Sequence, residues 1–182
     1  MKLRRFIAAA DASDFTVSIV GQQQRDREYT SERLPVVYLA TSPHKQADDF
    51  MAGPTAHSSF FVVVQNVQKV ADKMTMAGSG WYGSLSFIIT SRSGKIYSVT
   101  PAYFSWSANP EETWLFPSGG MRVFTVDFTH SVWPGLGGWQ GLPPTPSEPE
   151  IATMTVTFRY PDSKGKMASV TSSPTNVYLC PE

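Results

Sequence analysis

The residues able to do chemistry in this 182-residue chain are few and scattered. Its histidines are His44, His57 and His130. None stands in the His-x-His or His-x-x-x-His spacing that brings two imidazoles onto one metal ion. Each sits in or beside a turn-rich stretch and reads as a satisfied or exposed loop histidine. Asp48 and Asp49 lie near His44 and could join it in a metal or acid/base site, but a solvated helix start or loop is the simpler account. Glu111 and Glu112 form the other carboxylate pair. Neighbouring residues in a strand point to opposite faces, so a turn before Trp114 explains them better than a shared site. There is no Gly-x-Ser-x-Gly elbow, no Cys-x-x-Cys and no phosphate-cradling loop. "GSGWYG" is glycine-rich but lacks the lysine and the strand-to-helix setting of a P-loop. No nucleophile, base or ligand set converges, so the chain reads as a non-enzyme with no cofactor and no metal.

Aromatic residues in turn-rich segments carry the functional signal instead. Trp81 and Tyr82 stand between glycines, Tyr103, Phe104 and Trp106 crowd into "PAYFSWSANP", and Trp133 and Trp139 bracket a Gly/Pro-rich stretch. Rigid aromatic side chains give large contact area at small entropic cost, which suits a docking surface. Trp81, Tyr82, Tyr103, Trp106, Trp133 and Trp139 are therefore the candidate binding residues. Two kinds of ligand fit them: a protein partner, or a carbohydrate or small molecule stacked on the tryptophans. The competing account is that these rings fold back and cover the open ends of the domain.

Composition narrows the partner classes. Lys plus Arg and Asp plus Glu are 15 each, giving zero net charge. Proteins that track phosphate backbones show a basic excess, so nucleic acid is not an expected partner. No stretch is long and apolar enough for a membrane-spanning helix. The first residues, "MKLRRFIAAADA", have a basic start, a short apolar run and an Ala-x-Ala ending. "FIAAA" is shorter than the roughly 7 to 15 apolar residues of an export signal. The segment reads as an ordinary N-terminus or as the remnant of such a signal, leaving cytoplasm and periplasm or exterior both open. The single cysteine, Cys180, excludes an intrachain disulfide. It reads as a small apolar residue ending a strand, with an intermolecular bridge or reactive thiol as the alternative. The oligomeric state is left open.

The elements that must position the aromatic segments are strands. "DFTVSIV" puts Phe15, Val17 and Ile19 on one face. "LPVVYLA" is a second run, and "SFFVVVQNV" is apolar on both faces, as in a strand covered on each side. "SLSFIIT" points Leu85, Phe87 and Ile89 inward, and "SRSG" then turns into "KIYSVT" with Gly94 at positive φ. "MRVFTVDF" aligns Phe124, Val126 and Phe128. "IATMTVTFRY" sets Ala152, Met154, Val156, Phe158 and Tyr160 against Thr153, Thr155, Thr157 and Arg159, and "NVYLC" closes the chain. The β-branched and aromatic content suits pleated, half-buried surfaces. "SPHKQADDFMAG" could form one short helix capped by Ser42 and stopped by Gly53, or a loop turn. "WPGLGGWQGLPPTPSEPE" is too rich in glycine and proline for regular structure and reads as a long loop inserted over 133–150.

The expected fold is all-β: a single antiparallel β-sandwich of about seven to nine strands over residues 1–182, with long loops and at most one short helix. Its core should include Phe61, Val63, Leu85, Phe87, Phe124, Val126, Val156 and Phe158. The Pro117-Ser118-Gly119-Gly120 turn should carry the chain from one sheet to the other.

The order "FFVVVQNV", "SLSFIITSRSGKIYSV", "TWLFPSGGMRVFTVDF" resembles a bacterial immunoglobulin-like domain. Such domains run a strand-ending Asn, an alternating strand with a Gly-Lys hairpin, and a Pro-Gly corner before the next strand. The pattern is similar to that of the intracellular proteinase inhibitor type of β-sandwich and covers Ser59 to Phe128. The usual single Pro-Gly is here Pro-Ser-Gly-Gly, and neither the N-terminal third nor the Pro-rich loop has a counterpart. The resemblance implies an immunoglobulin-like sandwich fold, with a proteinase-inhibitor-like role as one alternative to the aromatic docking surface.

Overall fold

The computed structural model describes residues 14–21, 37–39, 59–77, 82–102, 111–128, 138–162 and 164–179. The strands are β1 Phe15–Gly21, β2 Val37–Leu39, β3 Ser59–Asn66, β4 Asp72–Ala77, β5 Leu85–Thr90, β6 Ile96–Pro101, β7 Glu111–Phe116, β8 Met121–Asp127, β9 Trp139–Gln140, β10 Glu150–Pro161, β11 Met167–Thr171 and β12 Thr175–Leu179. A single 3-10 turn, Tyr82–Ser84, precedes β5. The chain is all-β, as expected, with more and shorter strands than the seven to nine anticipated. The "SPHKQADDFMAG" segment lies outside the described residues.

Three strands form one sheet in the order β1-β3-β8, and β4 pairs with β7 in a two-stranded ribbon. The largest sheet runs β2-β12-β10-β5-β6-β9, with β11 also on β10. Every pairing is antiparallel except the short parallel contact of β2 with β12. The buried apolar residues form one cluster between the sheets. Aromatic rings meet there edge to face: Phe60 of β3 against Phe87 of β5, and Phe15 of β1 against Tyr160 of β10. Such pairs add about 0.5–1.5 kcal/mol each beyond the area they bury.

Local sequence explains each piece. β1 alternates buried and exposed residues, with Phe15, Val17 and Ile19 inward. β10 does the same over twelve residues and buries Ala152, Met154, Val156, Phe158 and Tyr160. The hairpin after β5 closes with Gly94 at φ 83°, as its sequence requires. Along one side of β10, β12 pairs with 150–154 and β11 with 157–161. The ladder would break between them at Val156. Ser172 fills the gap: its Oγ accepts the Val156 N–H at 3.0 Å, and its own N–H donates to Val156 O at 2.9 Å.

The Pro-Ser-Gly-Gly turn does carry the chain between sheets, from β7 in the two-stranded ribbon to β8 in the three-stranded sheet. The link from β3 to β4 makes the same crossing. Since β3 pairs with β8 and β4 with β7, the four strands form one antiparallel ribbon bent at a double corner. Asn66 clamps the bend. Its buried amide donates to Val70 O at 2.9 Å and Phe116 O at 3.0 Å, and its Oδ1 accepts the Gln68 N–H at 2.9 Å. Gly119 takes φ 70°, and a Cβ on Gly120 would lie 2.7 Å from Pro117 Cδ and 2.9 Å from its carbonyl, so the corner admits no larger residue there.

Four expectations change. Phe61 and Val63 are only half-buried; Phe60, Val62 and Val64 form the core face of β3. The strand is central in its sheet but covered on one side, and the buried Asn66 fixes the phase. Glu111 and Glu112 belong to β7, not to a turn. The Gly/Pro-rich segment is not wholly irregular, because Trp139–Gln140 pairs with Thr100 and Pro101 of β6. Four strands had no sequence counterpart: β7 and β9, just described, and β4 and β11. "DKMTMA" lacks the β-branched density of the others, and "MASVT" is too short to show a period.

Candidate functional site

Described residues next to the aromatic segments lie at one end of the large sheet. Pairing of Leu85 with Phe158, and of Phe87 with Val99, puts the start of β5 beside the end of β6 and the far end of β10. The Tyr82–Ser84 turn continues outward from there. β6 ends at Pro101, whose register partner is Trp139, and the next N–H, that of Ala102, donates to Gly138 O at 2.8 Å. The start of β5 after "GWYG", Ala102 before "YFSWSANP" and Gly138 at the end of "TVDFTHSVWPGLGGW" thus meet at a single edge of the sandwich.

Beneath that edge is an aromatic floor. Phe87 touches Phe60, Phe128 and Trp139 edge to face, at ring separations of 5.7, 5.1 and 5.3 Å. Phe128 closes the group on Trp139 at 5.3 Å. β9 is fixed by its far end. Gly141 adopts φ 79°, and a Cβ there would collide with the Ser98 carbonyl oxygen. Only glycine lets the backbone lie so close to β6. Leu142 then packs against the core, and Gln140 Nε2 donates to Thr100 Oγ1 at 3.2 Å.

The candidate binding residues separate accordingly. Trp139 is 9% exposed and belongs to the core. Its ring packs against Phe87 and Phe128. Tyr82 begins the 3-10 turn at the converging edge. Trp81, Tyr103, Trp106 and Trp133 lie outside the described residues, as do Phe104, His44, His57, His130, Asp48, Asp49 and Cys180.

A second aromatic group, which sequence reasoning did not single out, lies at the β7–β8 corner. Trp114 is buried between Phe124, at a ring separation of 5.6 Å, and the Arg122 guanidinium, 4.2 Å above its ring. The cation caps the indole and closes that end of the core. The indole Nε1 has no hydrogen-bond acceptor among the described residues. The spacing of Trp114 and Arg122 across a turn gave no signal of this pairing.

Among the described residues, no group of three or more His, Cys, Asp or Glu side chains is arranged to hold a metal ion. No helix among them is long and apolar enough to cross a membrane. No family model matches the chain, and no curated protein matches it.

Proposed function

We propose that this chain is a non-catalytic interaction module that engages a protein partner through the end of the sandwich where the aromatic segments emerge. One observation carries the reading: one described flank of each of three aromatic-rich segments lies at one edge, where Ala102 bonds to Gly138 and the Tyr82 turn leads into β5. A sheet scaffold with loops at one end is the arrangement by which sandwiches present binding residues. Trp81, Tyr82, Tyr103, Trp106 and Trp133 are its contact residues. Immunoglobulin-like kinship, and proteinase inhibition as a special case, accord with the corner and hairpin sequences between Ser59 and Phe128.

The test is co-purification from the native source followed by variants. Trp81→Ala and Trp106→Ala should each release a specifically retained protein while leaving the melting temperature within a few degrees of wild type. Retention by both variants would end the proposal. A carbohydrate site built on the same rings is the second reading. It predicts instead a tryptophan fluorescence shift with one member of an oligosaccharide panel, abolished by the same substitutions.

A further inference from the structure

No further inference is drawn: the strongest candidate, the uncharged outer face of the β1-β3-β8 sheet, where Val20, Met121 and Val123 are exposed beside the half-buried Phe61 and Val63, carries nothing because nothing in the structure shows what covers it.

Discussion

A buried asparagine has two N–H donors and a carbonyl oxygen to satisfy. At Asn66 all are used on backbone groups of the two corners it joins. The amide reaches Val70 O in one corner and Phe116 O in the other, with Pro117 O at 3.3 Å as a third acceptor. The backbone of Asn66 also accepts from Gly119 and donates to Gly120. Ser118 Oγ ties the corners again by donating to Gln68 O at 2.8 Å. Removing the amide leaves carbonyls buried without donors, at about 1–3 kcal/mol for each group left unsatisfied. Asn66→Ala should therefore cost on the order of 3 kcal/mol in urea denaturation. Asn66→Asp keeps size and acceptor but turns a carboxylate toward carbonyl oxygens, so at neutral pH it should cost at least as much. An Asn66→Asp variant as stable as wild type would show that the amide donors do not hold the bend.

At the scale of elements, legibility followed the alternation of side chains. β10 alternates apolar residues with threonine, and the five inward positions read from it are the five buried ones. β5 and β8 behaved the same way. β3 did not, because "FFVVV" is apolar at both phases and a period of two has no preferred origin there. The polar residues at its end, Gln65 and Asn66, hold the phase. Gln65 is half-exposed on the side of Phe61 and Val63, and Asn66 is buried on the side of Phe60, Val62 and Val64. A buried asparagine is the reverse of the usual preference, so composition alone favoured the wrong face. Trp139 illustrates the other limit. A two-residue strand has no period, and its burial depends on the approach of Gly141 to β6, which is a tertiary fact. The sequence singled out the aromatic segments and the corner, whereas their convergence on one edge needed the register of β5, β6 and β9. The phase of β3 can be checked directly. Phe60→Ala should cost about 3–5 kcal/mol, the range for a buried phenylalanine, and Phe61→Ala clearly less. Equal denaturation midpoints for the two variants would return the phase of β3 to the sequence-based expectation.

Across the whole molecule, the aromatic contacts run without a break from sheet to sheet. Phe15 meets Phe116 of the bent ribbon and Tyr160 of the large sheet. Tyr160 stacks on Phe158, Phe158 on Phe124, and Phe124 packs on Trp114. Phe60, Phe87, Phe128 and Trp139 close a second group that also joins both sheets. The bent ribbon strengthens the coupling, because β3 and β8 cannot leave the three-stranded sheet without pulling β4 and β7 through the Asn66 corner. Neither sheet has a private core, so each loses its apolar face when the other departs. The chain should therefore unfold as one unit. Far-ultraviolet circular dichroism, which follows the strands, and tryptophan fluorescence, which follows Trp114 and Trp139 among others, should give superimposable denaturation curves. The test has force because the two described tryptophans sit at different places, one capped by Arg122 at the corner and one beneath the converging edge. If the β4–β7 ribbon were an independent subdomain, Trp114 would report its loss before the strand signal of the large sheet fell. Two separated transitions would then replace one, and Trp114→Phe would remove the earlier fluorescence change. Coincident curves in wild type and in Trp114→Phe are the result the continuous core requires.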